Sequence, residues 1–458
     1  MDNYNKTFIS FICLVSAMGG LLFGYDWVVI GGAKPFYELF FGIAADPVMQ
    51  GVAMSTALVG CLAGAMVAGA MADRYGRKPL LIISAVLFTL SAVATGAVSD
   101  FTLFNIARFI GGVGIGVASA LSPMYIAEIS PAQVRGRLVS LNQMTIVLGI
   151  LGAQIVNWQL AEPVPAGYTA ADILASWNGQ TGWRWMFWAE ALPAAAFLVL
   201  SFIIPESPRW QMVHGREEQA RATLTRIGGA GYARCEAEAM HGDMAVGHTG
   251  AGTAGGGLRA LFSRRYAAVL VLGIFVAVFQ QWCGTNVIFN YAQEIFSAAG
   301  YSVGDVLFNI VITGVANVIF TIVAIYTVDR WGRRSLMLFG AGALAMVYFI
   351  LGTCYHLHVT GFFMVVLVVA AIACYAMSLG PVTWVLLSEI FPTRVRGVAM
   401  ASCTFALWTG CTTLTFSFPS LNASLGSSGT FWLYGAICLA GFAFFKVRLP
   451  ETKGKRLE

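Results

Sequence analysis

Residues 8–30 read FISFICLVSAMGGLLFGYDWVVI, an unbroken apolar run whose one charge is Asp26. Roughly 20 such residues cross the hydrocarbon of a bilayer as a helix. The run lacks the strict alternation of a barrel strand, and a helix satisfies its own backbone groups in lipid. Runs of this kind recur along all 458 residues. Hydrophobic residues make up 58% of the chain and charged residues 11%, against about 25% charged in soluble domains. The chain therefore reads as an all-α, polytopic membrane protein.

The net charge of +5 follows membrane topology and gives no reason to expect nucleic acid. With the N-terminus in the cytoplasm, all 27 lysines and arginines fall at cytoplasmic ends or loops except Lys34, Arg108 and Arg184. That is the positive-inside pattern, and it puts both termini on the cytoplasmic side. The nine cysteines, Cys61, Cys374 and Cys438 among them, sit mostly in apolar runs without paired spacing, and read as small buried hydrophobes. Residues 8–30 are too long for a signal peptide and lack a convincing cleavage site.

Twelve spans are expected, over about 8–30, 50–72, 79–98, 102–126, 138–160, 184–204, 267–296, 306–328, 335–355, 361–388, 397–420 and 430–447. They divide into an N-terminal half (1–204), a polar cytoplasmic loop (205–265), a C-terminal half (266–448) and a short tail (449–458). The loop holds a short amphipathic helix near residues 216–221 and a Gly-rich linker, Gly247 to Gly257.

The halves repeat each other. Asp73-Arg74-Tyr75-Gly76-Arg77 follows span two and Asp329-Arg330-Trp331-Gly332-Arg333 follows span eight. Glu128 to Arg135 follows span four and Glu389 to Arg396 follows span ten; PESPRW from Pro205 is matched by PETKGK from Pro450. The offsets are 256, 261 and 245 residues, as expected for two parallel six-helix units. Asp73, Arg74, Arg77, Glu128, Arg135, Glu206, Arg209, Asp329, Arg330, Arg333, Glu389, Arg396 and Glu451 thus form a candidate cytoplasmic gate. Carboxylates and guanidiniums at helix ends on one face could latch one half to the other. Single motifs of this kind could equally be positive-inside anchors.

Asp26 needs a partner, a water path or a proton, since an Asp at a helix centre costs roughly 2.5 to 3.5 kcal/mol to insert. Arg108, inside span four, is the expected partner. The pair is either a static packing contact or a carboxylate that holds a guanidinium and a proton by turns.

With these motifs the chain resembles the sugar porter family of the major facilitator superfamily over nearly its whole length. The residues FQQxxGxN from Phe279 to Asn286 and GPVTWVLLSEIFP from Gly380 to Pro392 add to the likeness. It is nearer to bacterial D-xylose–proton symporters than to human-type glucose facilitators. The resemblance implies the major facilitator fold, with a sugar site between the two pseudo-symmetric halves. Carried over, that site comprises Phe23, Gln143, Gln280, Gln281, Asn286, Asn317, Trp384 and Trp408. Their chemistry suits a sugar, since amides donate and accept without charge and indoles offer apolar faces to C–H surfaces. Proton coupling is implied at Asp26 and Arg108, with Glu190 either a further acidic coupling position or a structural partner of the arginine motifs.

Leu407 precedes Trp408 where the family usually has an amide, and Ile150 and Asn290 stand where the xylose symporters have a glutamine and a tyrosine. Such changes alter selectivity more than fold. The expected activity is proton-coupled symport of a monosaccharide, pentose or hexose, by alternating access in the inner membrane. An uncoupled facilitator and a sugar sensor are the alternatives; the short tail argues against the sensor. An enzyme is not expected, since the sequence shows no nucleophile–base pair, metal cluster or phosphate loop. The proton is the expected co-substrate, with no other cofactor, and the family expectation is a monomer.

Overall fold

The computed structural model describes residues 4–131, 133–165, 167–250, 266–301, 303–391 and 396–451, with the side chains of 243–250, 303, 304, 329, 388, 396 and 397 excepted. Asp329 and Arg396 of the expected gate, as side chains, and much of the Gly-rich linker therefore lie outside the described residues. The described chain is helical throughout, with no strand.

The N-terminal half contains α1 (Lys6–Phe40), α2 (Pro47–Tyr75), α3 (Arg77–Ala97), α4 (Phe101–Ile129), α5 (Arg135–Leu160), the short α6 (Ala170–Ala175), a π-helical turn (Asn178–Gly182) and α7 (Trp183–Ile203). The loop carries α8 (Pro208–Val213) and α9 (Glu217–Gly250). The C-terminal half contains α10 (Ala267–Trp282), α11 (Thr285–Asn290), α12 (Ala292–Ala298), α13 (Val303–Trp331), α14 (Arg333–His356), α15 (Phe362–Met377), α16 (Leu379–Ile390) and α17 (Arg396–Arg448).

Helix starts follow local chemistry. The Asn5, Asp46 and Asp100 side chains accept backbone N–H bonds from Phe8, from Val48 and Met49, and from Leu103, which satisfies donors otherwise orphaned at the first turn. Small residues then let helices approach closely. A Cβ on Gly24 would collide with the Ile146 carbonyl, and one on Gly149 with that of Leu21, so α1 and α5 touch backbone to backbone.

Four differences from the expected spans have physical causes. Span one continues ten residues beyond Ile30, to Phe40. Span seven is broken twice, after Trp282, where Gly284 takes φ +86°, and again at Tyr291. Span ten is broken at Ser378, where the following Pro381 has no N–H to continue the hydrogen-bond ladder. Spans eleven and twelve run up to Gly426 from both sides with no loop between them, together making the 53 residues of α17. Gly426 (φ +66°, ψ 171°) turns the chain back, so eleven apolar segments make twelve crossings. The loop helix is also far longer than expected, running from Glu217 with a kink at Gly229.

Within the first half α2 packs on α4, α1 on α5, and α3 on α4 and α7; within the second α14 and α10 pack on α17, and α13 on α15. Between the halves α2 meets α17, α5 meets α13, and α1 meets α11 and α12. Named contacts of that seam lie toward the end opposite the arginine motifs, the far face. Gly51 abuts the Phe416 carbonyl, Gly314 abuts Gln154, and the Trp158 and Phe308 rings are 5.4 Å apart.

Candidate functional site

Two polar clusters occupy the interior. In the first, Asp26 of α1, Arg108 of α4 and Glu190 of α7 are each 2% exposed. Arg108 Nη1 donates to Asp26 Oδ1, and Nη2 donates to the Asp26 main-chain carbonyl at 3.3 Å. The guanidinium lies 5.4 Å over the Phe187 ring of α7. Asp26 Oδ2, Arg108 Nε and Glu190 Oε1 have no hydrogen-bond partner. The expected partnership is therefore made, and Glu190 lies with this cluster rather than with the arginine motifs. Glu190 makes no ion pair with Arg108 but lies within electrostatic reach of it and of Asp26, so the group carries a formal charge of −1 when ionised and 0 with one proton. Burying an unbalanced charge is expensive, which makes the protonation state and the packing of this cluster interdependent.

The second cluster is an amide chain on the broken span seven. Gln281 Nε2 donates to Gln280 Oε1 at 2.7 Å, and Asn286 Nδ2 donates to Gln281 Oε1. All three residues are buried. The break at Gly284 folds Asn286 back against the end of α10, which a continuous helix would not do. Across the seam Phe23 and Trp27 of α1, 5.7 Å from each other, both meet Trp408 of α17 at ring separations of 5.9 Å. Trp27 is not among the residues that the resemblance implies; its position next to Asp26 is the available signal.

Gln143 (α5, half-buried), Asn317 (α13, buried) and Trp384 (α16, 38% exposed) make no hydrogen bond to the amide chain. Ile150 and Leu407 are buried, as is Asn290, whose Oδ1 has no partner. These departures lie on α5, α17 and the end of α11.

At the arginine-rich face the duplicated motifs do the same work twice. Glu206 accepts the backbone N–H groups of Arg77 (3.0 Å) and Lys78 (3.1 Å) at the start of α3. Glu451 accepts those of Arg333 (3.0 Å) and Arg334 (3.2 Å) at the start of α14. Arg77 pairs with Glu128 at 2.8 Å, and Arg333 with Glu389 at 2.9 Å. Gly76 and Gly332, both at positive φ, lie against these caps, where a Cβ would strike Glu206 or Glu451. Burial pushes the Glu206 carboxyl above its ordinary range, against the opposing pull of the backbone N–H bonds.

These named pairs each close within one half and do not span the two. Asp73 makes a looser contact with Arg77 (3.4 Å), and its carbonyl accepts from Trp210 at 2.9 Å. Arg74 lies over the Tyr75 ring, Arg135 donates to the Ser130 carbonyl at 3.5 Å, and Arg209 is exposed, as is Arg330. Sequence spacing aligns the motifs but cannot say which half each guanidinium will face.

One ionic group escapes the sequence reading. Lys34 of α1, 1% exposed, contacts Glu38 at 2.8 Å and also Glu294 of α12 in the other half. Lys34 reads in sequence as an external charge only if span one ends at Ile30; the signal is that the apolar run resumes through Phe41.

The family profile described as "Sugar (and other) transporter" matches residues 12–458. The D-xylose-proton symporter of Escherichia coli is 37% identical over 99% of this chain and 95% of its own length. The arabinose-proton symporter of Bacillus subtilis is 35% identical over 100% of this chain and 95% of its own. The solved structure of the Escherichia coli xylose transporter in a partially occluded inward-open conformation superposes with a TM-score of 0.85 at 35% identity, covering 99% of this chain and 100% of that one.

Proposed function

For a chain that belongs to the sugar transporter family, as this one does, we propose proton-coupled symport of a monosaccharide, pentose or hexose, by alternating access. The observation that carries this reading is the buried Asp26–Arg108 ion pair, with the Glu190 carboxyl buried within electrostatic reach of both. Its relatives named as symporters carry xylose or arabinose with protons. The sugar site is formed by Gln280, Gln281 and Asn286 with Phe23, Trp27 and Trp408, and is completed by Gln143, Asn317 and Trp384 from facing helices. Amides orient the hydroxyls and the rings cover the C–H faces. Leu407, Ile150 and Asn290 set the selectivity.

The two clusters communicate through α1. Asp26 faces the proton cluster, and the adjacent Trp27 touches Trp408 across the seam. A shift of α1 as Asp26 gains a proton and releases Arg108 Nη1 is felt at the aromatic wall of the sugar site. Protonation at Asp26 and sugar contact at Trp408 then bias one bistable element, the minimum requirement for coupling. The capped helix starts at the arginine-rich face keep each half rigid while the halves rock. The family is one of transporters, and the proton is the sole co-substrate proposed. The positive-inside rule puts the arginine-rich face and both termini in the cytoplasm, with the chain a monomer in the inner membrane.

The test is transport in proteoliposomes. Asp26→Asn should abolish sugar accumulation driven by an inward proton gradient while leaving sugar exchange without a gradient. Gradient-driven accumulation undiminished in Asp26→Asn would overturn proton coupling through this residue.

A further inference from the structure

We propose that Lys34 is a positioning residue that ties the sugar-site segment of the C-terminal half to α1, holding Glu294 and Glu38 together when the far face is closed and keeping Glu38 alone when it opens. Lys34 lies two turns beyond Asp26 on α1, about 12 Å along the axis. Its ammonium is buried and meets two carboxylates of different origin. Glu38 is four residues on along the same helix, with Nζ to Oε1 at 2.8 Å. Glu294 belongs to α12, in the other half. Opening the far face must part Lys34 from Glu294, because the two move with different halves. It need not part Lys34 from Glu38. The ammonium therefore keeps a counter-charge in both states, which an ion pair with one partner could not offer without leaving a buried charge unbalanced.

The segment it holds is the one best able to move. α11 and α12 are single short helices, separated from α10 by Gly284 at φ +86° and from each other at Tyr291 (φ −125°, ψ 27°). α11 carries Asn286 of the amide chain. Its end rests on α1, where a Cβ at Gly31 would sit 3.0 Å from the Asn290 carbonyl. The other groups facing Lys34 are already engaged. The Tyr291 ring lies 5.4 Å from Nζ, with its hydroxyl given to the Thr415 carbonyl at 2.6 Å. Tyr37 gives its hydroxyl to Met54 Sδ at 3.3 Å, and Arg108 beyond it is bound to Asp26.

Spin labels at exposed Val48 (α2) and Leu425 (α17), in a Cys235→Ser background, report the width of the far face. The measurement needs neither proton coupling nor a particular sugar, so it stands apart from the test of symport. Lys34→Met and Glu294→Gln should each raise the long-distance population relative to the short by roughly 5- to 30-fold. The double exchange Lys34→Glu with Glu294→Lys keeps one ammonium and two carboxylates in place, and should restore the short distance. Glu38→Gln should leave the closed population but destabilise the open one. Unchanged distances in Lys34→Met and Glu294→Gln, or an exchange variant as open as these two, overturn the proposal. Should a single variant not fold, the exchange variant decides alone: folded and closed supports the role, open or unfolded overturns it.

Discussion

Arg108 holds Asp26 at two points, the carboxylate through Nη1 and the main-chain carbonyl through Nη2 at 3.3 Å. The second bond does not depend on the charge of the carboxylate. Neutralising Asp26 therefore loosens the arginine without freeing it from α1, and Asp26→Asn is expected to fold. Removing the guanidinium is different, because it leaves two buried carboxylates. Arg108→Leu should cost about 3 to 5 kcal/mol of stability, read as a loss of folded protein in thermal melts. Asp26→Asn placed on top of it should recover part of that loss.

Gln281 is the middle of the amide chain, donating to Gln280 and accepting from Asn286. Gln281→Ala cuts both bonds and unfastens the two ends. Sugar affinity should fall by about tenfold or more, equal to about 1.4 kcal/mol, with little change in melting temperature. Calorimetry against a panel of pentoses and hexoses checks this and identifies the substrate.

Trp27 and Trp408 face each other at 5.9 Å across the seam. Trp27→Ala should weaken both sugar binding and proton-driven uptake, since the residue follows Asp26 on α1 and its ring meets Trp408. Trp27→Phe should keep most of the binding. Equal uptake by Trp27→Ala and the unmodified chain would show that the aromatic contact carries nothing between them.

Glu206 and Glu451 cap the starts of α3 and α14 through backbone N–H groups. Loss of a cap costs about 1 kcal/mol. Glu206→Ala and Glu451→Ala should lower the melting temperature to similar degrees, reflecting the repeat. The glutamine variants, which keep an acceptor oxygen, should be milder.

Legibility differed by the range of the interaction. Asp26 and Arg108 could be paired from sequence because charges deep inside spans are few and each needs a partner nearby. Lys34, Glu38 and Glu294 could not, since ending span one at Ile30 turned a buried lysine into a terminal one. The break at Gly284 was likewise hidden in a continuous apolar stretch. Lipid asks a segment only to be apolar, and says nothing about whether its helix is straight.

The sequence alone determined that this chain crosses a membrane twelve times in two repeated halves, and where its costly charges lie. Hydropathy and motif order are local properties that need no coordinates. Only the tertiary structure decided which charge meets which. It showed that Arg77–Glu128 and Arg333–Glu389 each close within one half and that Lys34 meets Glu294 of the other half at the far face. Those pairings depend on helix rotation and approach, which small residues such as Gly24 and Gly149 set through packing that no linear spacing records.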